Sequence, residues 1–368
     1  VKLQRHGVSA CLLAVTAASA VALAGCGSDN TPTTGGSASG SAGAADCATG
    51  QISAEGSTAQ GKAMDAWTQA YGKKCGASVT YNKTGSGAGV TAFSAGKVAF
   101  AGSDSALKDS NTPAADKRCG TGKAIDLPMV VSPIAVAYNL KGVSKLTLTP
   151  DAVAGIFAGK VTKWNDPAIA KSNAGVTLPA TTITTVHRSK DSGTTDNFTK
   201  FLDAQSKSIW TFGTGQAWKA PGGKGAPGSA DVISAVKGTD GSIAYVDGPD
   251  AKTNNLTVAA LDFGQGPVEL STDTIGKAIA AAQVKQTGND IKLTLNYGLK
   301  QAGAYPLGLV TYEITCEKGL PASQSKLVKS FLTYTASAEG QDAAAAAGHA
   351  KLPADLQTKV QAAVSAIS

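Results

Sequence analysis

The stretch His187–Phe198 concentrates residue types able to hold an anion: Arg188, and Ser192, Gly193, Thr194 and Thr195 in a row. It follows a β-branched run, Thr181–Val186, and precedes Phe198, Phe201 and Leu202 at helical spacing. The arginine is therefore expected at a strand's end, beside a Ser-Gly-Thr turn that opens an amphipathic helix. The first turn of a helix leaves N–H groups without intrahelical partners and carries about half a positive charge. Small residues let an anion approach that backbone closely, and arginine adds a planar fork of donors. The chemistry predicted is capture of a tetrahedral oxyanion.

Three other short loops share that character: Ser57-Thr58, Ser86 within Thr84–Gly89, and Ser103-Asp104. Each has a plain alternative. Ser or Thr at a strand-to-helix junction ordinarily caps the helix. Gly85-Ser86-Gly87-Ala88-Gly89 is a weak dinucleotide-type pattern with no Walker lysine after it. A lone Asp usually caps or faces solvent, and a lone Arg usually pairs with an acid. Taken together the four differ from such background, because all four are expected where strands end.

The elements that must position them alternate. Gln51–Glu55, Ser78–Tyr81 and Val98–Gly102 read as strands, with helices over Ala63–Tyr71 and from about Val90 between them. Such alternation predicts an α/β fold with a mostly parallel sheet, whose carboxyl-end loops bind ligands. Leu127–Leu140 is apolar but contains Pro128 and Pro133, so it is extended rather than helical. A second α/β pattern runs from about Asp151 to Thr287, and Tyr305–Ile314 is again β-rich. Helices are expected at Ser323–Thr335 and Leu356–Ala366, and Asp342–Gly348 as a surface helix turn. The two Pro-containing extended stretches are expected to be paired crossovers between two lobes, lobe I from 46–136 and 305–368 and lobe II from 137–304.

The N-terminal residues 1–25 read as a signal peptide: Lys2 and Arg5, an apolar run, then Leu23-Ala24-Gly25-Cys26, the pattern in which the cysteine thiol is lipidated. Residues 26–45, almost all Gly, Ser, Thr and Ala, read as a flexible tether. These features predict a lipid-anchored protein on the extracytoplasmic face of a bacterial membrane. The net charge of +7 contains Lys2 and Arg5, and with no basic block or aromatic ladder a nucleic-acid partner is not expected. Of six cysteines, Cys47, Cys75, Cys119 and Cys316 remain after Cys11 and Cys26, an even number that predicts two disulfides in an exported chain. Three connectivities are open; Cys47–Cys75 with Cys119–Cys316 is preferred, since Cys75 returns to the end of the sheet where Cys47 precedes the first strand. No Cys-x-x-Cys pair occurs and the histidines are only His6, His187 and His349, so no metal site or cofactor is expected.

Thr84–Val90, Ala101–Leu107, Lys163–Ile169 and Arg188-Ser189-x-x-Ser192–Thr195 occur in an order and spacing similar to those of the phosphate-binding lipoproteins of bacterial phosphate ABC importers, of actinobacterial type. The resemblance spans the chain from about Cys47 to its end. It implies a two-lobed, type II periplasmic-binding-protein-like fold with a hinge, a monomer that delivers phosphate to a membrane permease and its ATPases, and no catalysis. By motif, Thr58 and Ser86 would donate hydroxyls to phosphate, Ala59 its backbone N–H, Arg188 its fork, and Ser192, Gly193 and Thr194 the helix N-terminus. Asp104 would accept from the ligand's P–OH, which sulfate lacks. Two positions depart from the family: Ala59 where relatives often carry an aromatic residue, and Lys190 where an Asp often orients the arginine, with Asp191 beside it as a replacement. Alternatives are a sulfate or molybdate receptor and, in another class, a secreted phosphohydrolase using Ser192.

Overall fold

A computed structural model describes residues 47–368; the segments read as signal peptide and tether, with Cys26, lie outside the described residues. The first elements are β1 (Gln51–Gly56), α1 (Gly61–Cys75), β2 (Ser78–Lys83), α2 (Ser86–Ser94), β3 (Phe100–Ser103), α3 (Thr112–Arg118) and the long β4 (Ala124–Asn139). The middle of the chain forms β5 (Thr147–Leu148), α4 (Pro150–Phe157), α5 (Pro167–Ala170), β6 (Thr184–Arg188), α6 (Gly193–Ser206), β7 (Lys224–Ala226), α7 (Ser229–Lys237), β8 (Ser242–Asp247) and α8 (Gly248–Thr253). Then follow β9 (Thr257–Val258), β10 (Ala260–Asp262), β11 (Pro267–Val268), α9 (Thr272–Ala280), the β12 (Gln283–Thr287) and β13 (Asp290–Thr294) hairpin, β14 (Gly308–Cys316), α10 (Ala322–Ala336), α11 (Ala338–Ala346) and α12 (Ala354–Ser365).

One curled sheet holds the main strands in the order β2-β1-β3-β14-β4-β8-β6-β7, with β9 also on β4. β1 is parallel to β2 and β3, so the loops after all three strands emerge at one edge. β6 is likewise parallel to β7 and β8. β4 spans both groups: its first part pairs with β14 and its last with β8. The prolines fit this ladder because neither has an N–H to give. Pro128 lies opposite Tyr312, where a bulge between Thr311 and Tyr312 shifts the register, and Pro133 lies where β4 changes partner.

The packing follows the same division. One core gathers Met64, Trp67, Tyr71, Phe93, Phe100 and Phe331; α1 supplies its share at helical spacing, as the sequence predicts. A second holds Phe157, Trp164, Phe198, Phe201, Trp210 and Tyr245, and a third covers the other face of β8 and β6. Along β4 the side chains pass from the first core at Val131 to the second at Ile134, and along β14 from the second at Leu309 to the first at Val310. Burying each such aromatic or aliphatic side chain is worth about 1.5–3 kcal/mol.

One expectation needs correction: α2 begins at Ser86 and not near Val90, since Gly85 at φ 105° turns the chain directly into the helix. Residues 272–304 touch both cores, with Ile275, Ala278, Ile279 and Ile291 in the first and Tyr297 against the second. The disulfides are Cys47–Cys75 and Cys119–Cys316, the preferred pairing. The second closes a span of 197 residues and ties the end of α3 to the end of β14, with both cysteines fully buried. Replacing both Cys119 and Cys316 by alanine is expected to remove about 2–5 kcal/mol of unfolding free energy. Urea denaturation checks this, and an unchanged midpoint would exclude the bridge as a stabilising link.

Candidate functional site

In the first half of the sheet, three strand ends converge on Asp104. Ser57, after β1, donates its hydroxyl to Asp104 Oδ1 at 2.5 Å, and Thr311 of β14 donates to the same oxygen at 2.8 Å. Ser86, at the start of α2, donates to Oδ2 at 3.3 Å and accepts from the Asp104 N–H at 3.2 Å. Asp104 is 3% exposed. Burial pushes its carboxyl up from the ordinary value; the bonds from Ser57, Thr311 and Ser86, and the charge of Arg188, pull the other way. Ala59, fully buried, gives its N–H to Ser57 Oγ at 3.1 Å, within its own loop.

The second half contributes the end of β6 and the start of α6. Ser192 caps α6, accepting from the Thr195 N–H at 3.4 Å. Arg188, 2% exposed, donates from Nε to the Pro227 carbonyl at 3.0 Å and from Nη1 to Thr58 Oγ1 at 3.0 Å and Ser192 Oγ at 3.2 Å. Its Nη2 is buried with no hydrogen bond, and among the described residues no carboxylate forms an ion pair with the guanidinium. Burial lowers the affinity of Arg188 for its proton, while the Asp104 and Asp231 carboxylates act in the other direction.

The halves meet at these groups. Gly193 N–H donates to Ser86 Oγ at 3.2 Å, and Thr58 and Ser229 hydroxyls bond at 2.7 Å. A Cβ on Gly193 would stand 2.5 Å from Asp104 Cβ and 2.6 Å from Ser86 Oγ, so only glycine allows this approach. Thr194 is buried beside it in the first turn of α6. A cavity of about 380 Å³, lined by Gly87, Ser105, Lys108, Asp191, Gln216 and Lys219 among others, opens on the same loops.

Thr58, Ala59, Ser86, Asp104, Arg188, Ser192, Gly193 and Thr194, singled out in sequence, therefore lie around one buried point. Lys190 and Asp191 do not orient the arginine: both are exposed, and the Pro227 carbonyl holds Nε instead. Lys163–Ile169 lies away from the site: Trp164 is a core residue donating to the Gly241 carbonyl, and Asp166 caps α5. His187 stacks on Trp218 with ring centroids 4.9 Å apart.

Several residues here escaped sequence reasoning. Ser57 was visible only as a loop partner of Thr58, and Thr311 lies in a crossover strand more than two hundred residues from Asp104. Tyr245 accepts from the Arg188 N–H at 3.1 Å and bonds Thr195 Oγ1 at 2.6 Å, tying the end of β6 to α6. Asn197 donates from Nδ2 to the carbonyls of Asp104 and Gly193, both at 2.7 Å. No local pattern marks these positions.

A family model described as a PBP superfamily domain matches residues 41–339. Phosphate-binding protein PstS 3 of Mycobacterium tuberculosis is 39% identical over 374 residues, covering 100% of both chains. The PstS 3 protein of Mycobacterium leprae is 40% identical over 374 residues with the same coverage. Among solved structures, a high affinity periplasmic phosphate-binding protein, PfluDING, bound with phosphate, superposes with a TM-score of 0.68 over 86% of this chain and 93% of that one. At 24% identity that likeness speaks for the fold, the two-lobed periplasmic-binding architecture. The chain belongs to the PBP superfamily and, within it, to the family of the PstS phosphate-binding proteins.

Proposed function

We propose that this chain captures inorganic phosphate between two lobes and hands it to the permease of an ABC importer driven by cytoplasmic ATPases. The observation that carries the proposal is the pair of opposed charges, Asp104 and Arg188, both buried and not paired with each other, with Arg188 Nη2 lacking a partner. Leaving a charged donor dry and unpaired costs more than the 1–3 kcal/mol of an ordinary unmet polar group. A small oxyanion relieves that cost at one end and supplies a hydroxyl for the other.

In this proposal Arg188 donates its fork to the anion. Thr58 and Ser86 donate hydroxyls, Ala59 its N–H, and Ser192, Gly193 and Thr194 donate from the start of α6. Asp104 accepts from the P–OH that phosphate keeps near neutral pH. Sulfate has no such hydrogen, so two acceptors would face each other, and the site rejects it by repulsion. The neutral donors bind the dianion without a full countercharge because each is aimed in advance and dry.

Lobe I is drawn from both ends of the chain and lobe II from its middle, with β4 and β14 as the hinge segments; the change of core at Val131/Ile134 and Leu309/Val310 supports this division. The 272–304 segment lies between the two, its isoleucines in the first core and Tyr297 bonded to Asn197 and Gln205 of α6. Lipid on Cys26 would hold a monomer at the extracytoplasmic face, with the Gly/Ser/Thr/Ala tether giving it reach. Ser192 Oγ has the Arg188 guanidinium and the Thr195 N–H as partners and no base among them, which supports a binding role for it over a catalytic one.

Calorimetric titration of the purified domain with phosphate, sulfate and molybdate tests the ligand; sulfate bound as tightly as phosphate would overturn the assignment. Asp104→Asn is expected to lower the phosphate-to-sulfate affinity ratio by about tenfold or more, from an unmet buried acceptor. Gly193→Ala should weaken phosphate binding roughly 5- to 150-fold, corresponding to about 1–3 kcal/mol of overpacking between the lobes. Its thermal midpoint without ligand should move little, and unaltered affinity would show that the lobes need not approach this closely.

A further inference from the structure

Behind Asp104 lies a second buried carboxyl that the binding site does not use. Glu313 sits on β14 directly across from Gly102 of β3 and is fully buried. Opposed residues of an antiparallel pair point to the same side of the sheet. The space over Gly102 is taken by the Gln60 amide and the Tyr81 phenol, with which any Cβ there would collide. Glu313 therefore shares its compartment with Gln60 and Tyr81.

The hydrogen bonds in that compartment run one way. Gln60 Nε2 donates to Tyr81 Oη at 2.9 Å, and Tyr81 donates its only hydrogen to the Ser57 carbonyl at 2.9 Å. Ser57 donates its hydroxyl to Asp104. Gln60 Oε1 and both Glu313 oxygens are buried and without partners. Three acceptor oxygens without a donor would leave an ionised carboxylate unanswered in this dry compartment, whereas a carboxylic acid supplies the one hydrogen missing from the chain.

We propose that Glu313 is a neutral acid donating to Gln60 Oε1, and that through Gln60, Tyr81 and Ser57 it positions Asp104 and leaves it the sole ionised acid at the ligand site. Glu313 is thus a positioning and specificity-determining residue for an oxyanion that carries a proton. The proposal rests on the phosphate assignment for its ligand. Burial raises Glu313 from 4.5 to about 8, the Asp104 charge adding to the rise and the nearby Gln60 amide N–H, which favours the ionised form, opposing it. The facing groups are Gln60 at the start of α1, Tyr81 of β2 and Asp104 after β3; Glu55 of β1 acts on Tyr81. Once Glu313 ionises, a second negative charge stands behind Asp104 and repels the phosphate dianion.

The test compares the wild-type chain with Glu313→Gln, which keeps a donor for Gln60 but cannot ionise. Phosphate affinities measured by calorimetry from about pH 6.5 to about 9.5 cancel the ligand's own titration when taken as a ratio. The wild-type Kd relative to the variant's is expected to rise about tenfold as pH passes about 8; a constant ratio would overturn the proposal. A ligand-free measurement separates it from the phosphate assignment. The folded chain holds a proton that the unfolded chain sheds above about 4.5, so wild-type stability relative to the variant falls with rising pH up to about 8. A flat difference in urea midpoints over that window would show Glu313 ionised in the fold. Absence of phosphate binding by the wild type, with the stability slope present, would instead sink the ligand assignment alone. Should Glu313→Gln fail to fold, Tyr81→Phe cuts the chain between Gln60 and Ser57. It is expected to weaken phosphate binding about 3- to 10-fold, and unchanged affinity would overturn the relay.

Discussion

The structure depends on keeping two opposite buried charges apart. Asp104 and Arg188 are each almost fully removed from water, and the desolvation of either is costly unless something answers its charge. Direct contact would answer both and leave nothing for a ligand. Separation is possible because the two stand on strand ends in different halves of the sheet. Between them lie only hydroxyls and N–H groups: Ser57, Thr311 and Ser86 at the acid, Thr58 and Ser192 at the guanidinium. A hydroxyl can donate or accept, so the same groups that bond one another across the junction can turn to an oxyanion.

The rest of the fold serves this spacing. β4 and β14 belong to both halves, so two strands set how those halves meet, and the prolines of β4 stand where its pairing changes. Tyr245 links the end of β6 to the first turn of α6, and its ring stacks on Phe198 with centroids 4.4 Å apart. The first turn of α6 therefore stands on a packed aromatic base. On the opposite side, Gly102 and Gly193 let side chains and backbone come closer than any Cβ permits. Preorganisation of this kind limits what binding must spend on ordering.

Much of this was legible before any coordinates. Alternating strands and helices marked the first sheet, and the hydroxyl-rich ends of β1, β2, β3 and β6 marked the loops that come together around Asp104 and Arg188. Of three open cysteine connectivities the preferred one is found, its argument being the return of Cys75 to the sheet end beside Cys47. What failed had local causes. Three glycines between Thr84 and Val90 suggested a loop, yet Ser86 already starts α2, because packing outweighs weak helix propensity.

The sequence by itself determined the residue types at the strand ends, the fold class and the anion chemistry, because strand period, helix caps and charge are local properties. Only the tertiary structure decided that Thr311 reaches Asp104, that Pro227 rather than Asp191 holds Arg188, and that Glu313 stands behind the site. Those contacts join residues tens to hundreds of positions apart. Their partners are chosen by sheet order, register and close packing, which no short stretch of chain encodes.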